Sequence, residues 1–198
     1  REGTRQVTGP VFAKVGGVET LEAAMAHPHY SAPLGGPNRG RGVASGFWGN
    51  GSGPASAIAS VNSDGTVSLI GGAPDIGGTR VAMAMQVADA LGLAAEDVRP
   101  SIGDTDSIGF STGAGGSSVA QKVGTACYLA AQDVKQQMIE RAAKIWDIPV
   151  EEVEFEDGVL QNKSDQELRM TFKDLAARLN ATGGPITGRA NLNPGGAG

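Results

Sequence analysis

The sequence predicts an α+β fold of β-hairpins with one long amphipathic helix and shorter helices, and three observations carry that reading. Two pairs of short, alternating apolar and polar runs flank Asp64-Gly65 and Asp157-Gly158, dipeptides suited to the left-handed backbone of tight hairpin turns. Residues 117–146 keep Val123, Cys127, Ala130, Val134, Met138, Ala142 and Ile145 on one helical stripe. The helices follow hairpins instead of alternating one by one with strands, which separates this pattern from a doubly wound sheet.

In chain order, residues 1–40 read as an extended arm or linker from an upstream region. The arm holds one helical turn over residues 19–26 that stops before Pro28. Residues 41–198 read as a single α+β domain. Within it, residues 42–48 form a strand ending in Phe47-Trp48, and residues 55–61 and 66–70 form the first hairpin. Residues 79–91 form a helix, because Val81, Ala84, Met85, Ala88 and Leu91 share one face and Gly92 supplies the C-terminal stop. A short strand over 98–102 precedes the long helix. Residues 153–155 and 159–161 form the second hairpin, and Thr171-x-x-Asp174 has the spacing of a capping box for a helix to Leu179. Residues 186–192 form a last strand. No repeat of solenoid period is present.

Composition excludes several classes of function. The 198 residues carry 16 Lys and Arg against 21 Asp and Glu, a net charge of −5 with no basic run, so the footprint needed to bind nucleic acid is missing. One cysteine, Cys127, leaves no internal disulfide, cysteine-based zinc site or iron–sulfur cluster to this chain, and two histidines leave no histidine-rich metal centre. No apolar stretch approaches the roughly 18 residues of a membrane span, and no signal peptide is expected. Arg1 at the start and Asn193-Pro194-Gly195-Gly196-Ala197-Gly198 at the end lead us to expect a piece of a larger polypeptide.

Glycine, 31 of 198 residues, is at about twice its usual share. The glycines cluster beside patterned strands and helices, as backbone loops on a packed scaffold do. Two clusters share one layout of strand, glycine-rich turn and helix start. The first runs Gly71-Gly72-Ala73-Pro74-Asp75-Ile76-Gly77-Gly78-Thr79-Arg80, and the second runs Ser111-Thr112-Gly113-Ala114-Gly115-Gly116-Ser117-Ser118. Such turns present backbone N–H groups, and the helix start adds about half a positive charge, so anions and phosphates above all are favoured there. The plain alternative is a tight connection capped by Thr79 or Ser117. Neither loop has the GxGxxG fingerprint or the lysine of GxxxxGK[ST], which disfavours ordinary dinucleotide and triphosphate sites.

The other candidates have mainly structural readings. Asp104-Thr105-Asp106 offers two carboxylates but reads first as a turn, and His27-Pro28-His29 reads as surface arm rather than metal ligands. Phe47 and Trp48 line an aromatic pocket or pack in the core. Cys127 lies on the buried stripe as inert packing, and the acidic run 151–157 alternates as a solvent-facing edge strand does. No nucleophile, base and orienter come together, so no residue is assigned as catalytic and none as a metal ligand.

The run Gly40-Arg41-Gly42-Val43-Ala44-Ser45-Gly46-Phe47-Trp48, the Asp64-Gly65 hairpin, PDIGGTR with its helix, and GDTDSIGFSTGAGGSS with its long helix together resemble the molybdopterin-binding large subunit of the xanthine dehydrogenase/aldehyde oxidase family. The similarity covers residues 4–193 and is strongest over 40–146. It implies a molybdopterin-binding-domain-like fold, a fragment of the second cofactor-binding region of a molybdenum hydroxylase. Such an oxidoreductase hydroxylates an N-heterocycle or aldehyde with oxygen from water. The implied cofactor is molybdenum–molybdopterin in its cytosine dinucleotide form, with [2Fe–2S] clusters, and FAD or haem, on partner subunits. The implied partners are the remainder of its own large subunit, an iron–sulfur small subunit and a small-molecule substrate. The cytoplasm is the expected location, with the periplasm as the other one used by the family.

By the same resemblance, Gly77, Gly78, Thr79 and Arg80 pack against the pterin, Gly115, Gly116, Ser117 and Ser118 run beside the pterin and its phosphates, and Phe47 with Trp48 faces substrate. Two departures stand out. Relatives place a glutamine between the glycines of the first loop, where this chain has none, so Arg80 or Thr79 takes that contact or the contact is absent. Relatives place an arginine where Ser118 stands. The family's general-base glutamate lies in a Gly-x-Gly-Glu motif beyond this segment, so the fragment alone is expected to be inactive. Two rival readings stay open: a non-redox module for a phosphorylated small molecule, and a structural domain whose glycine loops only connect.

Overall fold

The computed structural model describes residues 3–7, 9, 11–12, 15–46, 48, 51–104 and 106–193. The chain divides into two compact units, Arg1–Phe47 and Trp48–Gly198.

In the first unit, α1 (Gly17–Ala26) is followed by α2 (Pro28–Ser31), and neither helix buries a residue. α1 begins two residues before the expected turn and ends at the same alanine. Pro28 does not only stop α1; it opens α2, where its missing N–H would have no helical partner anyway. The strand expected over 42–48 is not formed: residues 42–46 and 48 have no strand pairing. Gly42 and Gly46 weaken an extended run, and no neighbouring strand among the described residues offers it a ladder. Phe47 lies outside the described residues.

The second unit starts with β1 (Ala55–Val61) and β2 (Val67–Gly71), the antiparallel hairpin read from Asp64-Gly65. Asp64 Oδ1 accepts from the Thr66 N–H (2.9 Å) and hydroxyl (2.6 Å), which fixes the turn. α3 (Thr79–Leu91) then crosses to β3 (Val98–Ile102), which lies parallel to β2 with Gly71 opposite Ile102. The reading of strands paired only as hairpins does not foresee this parallel crossover. Next come α4 (Val119–Trp146), β4 (Val153–Glu156), β5 (Val159–Asn162), β6 (Arg169–Thr171), α5 (Phe172–Thr182) and β7 (Thr187–Leu192). The main sheet runs β3-β2-β1-β7, and a small sheet runs β4-β5-β6.

Small residues let α4 lie close to the main sheet. β1 turns Ala55, Ala57, Ala59 and Val61 inward, and α4 meets the sheet with Ala126, Cys127, Ala130, Ala131 and Val134, all buried. Gly188 of β7 lies so close to α4 that a Cβ there would stand 2.2 Å from the Ala130 carbonyl oxygen. Met83, Val87 and Leu91 of α3 fill the remaining space, and burying each such side chain contributes about 1.5–3 kcal/mol. The second half of α4 carries the small sheet and α5, where Phe155, Leu160, Phe172 and Leu175 are buried. The Phe155 and Phe172 rings stack at 6.3 Å, and α5 opens with the expected capping box, Thr171 and Asp174 bonding each other's backbone N–H. The acidic run is the edge strand β4 with Glu154 and Glu156 outward, as its alternation foretold.

Candidate functional site

Because β2 and β3 are parallel neighbours, the loops that leave them emerge at the same end of the sheet, and each leads into a helix start. The first loop turns into α3 through Gly77 (φ +69°) and Gly78 (φ +78°). The second turns into α4 through Gly116 (φ +58°) and Ser117 (φ +56°), before Ser118 at the helix boundary. The left-handed φ at these residues lets each loop turn sharply into its helix, whose first N–H groups lack helical partners.

One cavity of about 370 Å³ is lined from both loops: Ile76 and Thr79 from the first, Ala114, Gly115, Ser117 and Ser118 from the second, with Val119 and Ala120 of α4. The eight cofactor candidates are placed as follows. Thr79, Gly115, Ser117 and Ser118 line it, and Gly77 and Gly78 form the turn that carries Thr79 there. Gly116 supplies the left-handed residue between Gly115 and Ser117. Arg80 does not line the cavity; its Nε pairs with Asp75 Oδ2 at 3.3 Å. Trp48 does not line it either and is 70% exposed. A second cavity, of about 290 Å³, opens between Gly72, Gly103, Asp104 and residues 108–111.

The two helix starts differ electrically. At α3, Asp75 Oδ1 accepts the Arg80 N–H at 2.9 Å, so a carboxylate already sits on the positive end of that helix. At α4 no side chain caps the start, and the Ser118 hydroxyl donates instead to the Gly115 carbonyl at 2.7 Å. The α4 end is the one open to an external anion.

The second loop is held rigidly from beneath. The Thr112 N–H donates to the Pro54 carbonyl (2.9 Å), Ser111 Oγ accepts the Ser56 N–H (3.1 Å), and the Gly51 N–H donates to the Gly116 carbonyl (2.7 Å). A Cβ at Gly53 would stand 2.6 Å from Thr112 Oγ1 and one at Gly72 2.2 Å from Ser111 Oγ, so these glycines let the strands approach the loop. At Gly77, Gly78, Gly113 and Gly115, by contrast, a Cβ would meet nothing within 4 Å. Bare backbone there borders open space. The chemistry of this donor set, N–H groups and hydroxyls with few carboxylates, fits an elongated anionic group.

Lys122 escaped the sequence reading. Its side chain is buried, and its ammonium donates to the Thr112 carbonyl (2.8 Å), Thr112 Oγ1 (2.6 Å) and the Gly113 carbonyl (2.8 Å). Burial draws its pKa below 10.5. The signal was present: Val119, Lys122 and Ala126 follow the i, i+3, i+7 spacing of a buried stripe.

The remaining candidates take structural places. The Ser107 hydroxyl first, and then the N–H groups of Asp106 (2.9 Å) and Ser107 (2.8 Å) bonding Asp104 Oδ1, hold the Asp104 carboxyl below the usual range, while Thr105 lies outside the described residues. His27 Nδ1 accepts the His29 N–H. Cys127 is fully buried, and burial pushes its thiol up to about 12. Among the described residues, no three His, Cys, Asp or Glu side chains group as metal ligands, and no helix is long and apolar enough to cross a membrane.

Against known proteins, residues 18–195 match the model of the molybdopterin cofactor-binding domain. The chain belongs to that family. Among solved structures, this molybdopterin-binding domain superposes on reconstituted CO dehydrogenase from Oligotropha carboxidovorans with TM-score 0.66 and 24% identity, over 71% of this chain and 18% of that one. It superposes on quinoline 2-oxidoreductase from Pseudomonas putida 86 with TM-score 0.61 and 23% identity, over 72% of this chain and 19% of that one. The domain shares their fold and spans less than a fifth of their length.

Proposed function

We propose that this domain is the second cofactor-binding region of a molybdenum hydroxylase large subunit, of the xanthine dehydrogenase/aldehyde oxidase type. The observation that carries the reading is a cavity lined by the helix-start ends of both glycine loops at one end of the sheet. A lone phosphate needs one helix start; two loops serving one space suit a long pterin with its phosphates.

When bound, the molybdenum–pterin group supplies oxygen transfer and accepts electrons; the chain holds and orients it. Backbone N–H groups at 77–79 lie along one side. Those at 115–117, with the open start of α4, would face the phosphate end, which we assign to a cytosine dinucleotide. Ser117 and Thr79 offer hydroxyls from opposite loops. Arg80, tied to Asp75, supports the first loop's shape and leaves Thr79 as the side chain able to replace the relatives' glutamine. We place substrate, an N-heterocycle or aldehyde hydroxylated with water as oxygen source, on the side of Phe47 and Trp48. We assign the general base, the iron–sulfur clusters and any FAD or haem to other parts of the large subunit and to partner subunits. Residues 1–40 we read as an arm joining the domain to an upstream region, and the cytoplasm as the compartment.

The test is molybdenum and pterin analysis of the full-length protein purified with its neighbouring subunits, beside Gly115→Val. Gly115 has open space where the valine would stand and no left-handed φ, so the variant fills the cavity without straining the loop. Stoichiometric molybdenum with an acid-released cytosine nucleotide in the parent, and at least a tenfold loss in the variant, is expected. Equal molybdenum in both proteins would refute the role of the second loop.

A further inference from the structure

Lys122 is among the largest fully buried side chains of the domain, and among the described residues no carboxylate pairs with it. The ion pairs among the described residues are Arg80 with Asp75 and Arg99 with Asp64. A buried cation without a partner is costly unless its protons are fully satisfied. An ammonium has three donors and no acceptor. Lys122 meets three oxygens, all within 2.8 Å, two from Thr112 and one from Gly113. Two of the three are carbonyls, which only accept, and the Thr112 hydroxyl donates to the Pro54 carbonyl (3.2 Å), so the arrangement suits the charged form.

Those contacts orient the loop. Across planar trans peptides the N–H points opposite to the preceding carbonyl. Drawing the Thr112 and Gly113 carbonyls onto Lys122 therefore turns the N–H groups of Gly113 and Ala114 outward, on the exposed surface that continues into the cavity lining at Ala114 and Gly115. Thr112 is also bonded to Pro54, so the loop is anchored on both sides of one residue. The uncompensated charge lies one turn inside α4, where it adds to the positive end of the helix.

We propose that Lys122 is the positioning residue of the second loop, a buried cation that sets the outward N–H groups and supplies positive charge from within the helix. The cofactor role of this loop is that of the preceding subsection, on which the proposal rests.

The experiment uses the full-length protein with its neighbouring subunits, as parent, Lys122→Met and Thr112→Val. Amide hydrogen exchange is followed over residues 109–118 and over β1 and β2, and molybdenum per polypeptide is counted. For Lys122→Met, exchange of the bonded Thr112 and Ser118 N–H groups speeds at least tenfold, β1 and β2 are unchanged, and molybdenum falls at least fivefold. Thr112→Val keeps the cation and removes one acceptor, so it gives a smaller acceleration in the same segment; it carries the test if Lys122→Met does not fold. Exchange at Thr112 and Ser118 within twofold of the parent overturns the proposal. So does equal acceleration throughout β1 and β2, which marks a general loss of stability, and so does unchanged molybdenum with an opened loop. A parent without molybdenum refutes the cofactor reading instead, and the exchange data still judge whether Lys122 orders the loop.

Discussion

Replacing Gly188 by alanine should separate α4 from the sheet that it covers. The new Cβ would stand 2.2 Å from the Ala130 carbonyl oxygen and 2.8 Å from both the Val134 nitrogen and Cγ2. Carbon contacts settle near 3.5–4.0 Å, so the helix must retreat by about 1 Å, and the obstructing atoms are helix backbone with no rotamer to give way. Overpacking of this kind costs about 1–3 kcal/mol. The retreat also stretches two links, Asp133 Oδ2 accepting the Arg189 N–H (3.0 Å) and Gln137 Nε2 donating to the Thr187 carbonyl (2.9 Å), each contributing about 1 kcal/mol. We expect a destabilisation of about 3–5 kcal/mol, read as a lower urea midpoint with an unchanged slope. Gly115→Ala is the control: its Cβ meets nothing within 4 Å, so the change should stay within about 0.5 kcal/mol. Equal midpoints for Gly188→Ala and the parent would refute the close-packing argument.

Two further outcomes follow from the electrostatics. Asp75→Ala removes the carboxylate on the start of α3 and should lower stability by about 1 kcal/mol, the usual cost of a lost cap. The loss should persist in high salt, because its ion pair with Arg80 is largely exposed; a loss that vanishes with salt would assign it to the ion pair. The capping-box bonds from Thr171 hold the Asp174 carboxyl below 3.8, so their stabilisation is full above that value and disappears as pH falls through the lower native pKa. Asp174→Asn should accordingly flatten the acid limb of stability below pH 4, and an unchanged limb would contradict this.

Local signals made much of the fold legible. Asp64-Gly65, the stripe of the long helix and Thr171-x-x-Asp174 each encode their structure within a few neighbouring residues, and each formed where expected. The strand over 42–48 failed because a strand is completed by its partner, which no local pattern supplies. β6 was missed because Arg169-Met170-Thr171 is too short to show a period. The parallel pairing of β2 with β3, which brings the two loops to one cavity, is a long-range fact that neither strand announces. The loops stood out by composition, yet composition does not sort their glycines. Gly72 admits Ser111, Gly188 admits a helix, and Gly115 borders open space, three environments for one letter. Lys122 was hidden by its charge, since a lysine on a helix is ordinarily read as solvent-facing.

The 28-residue α4 has a further consequence. At 1.5 Å per residue it is a strut of about 42 Å, and it contains no proline at which to bend. Its first turn sets the second loop, its middle lies on the main sheet, and its last turns carry the small sheet and α5. A stiff strut clamped at its middle behaves as a lever: a small tilt at the far end reappears at the loop with opposite sign. The small sheet, packed on the far half of the strut, thus acts as ballast for the aim of the cavity.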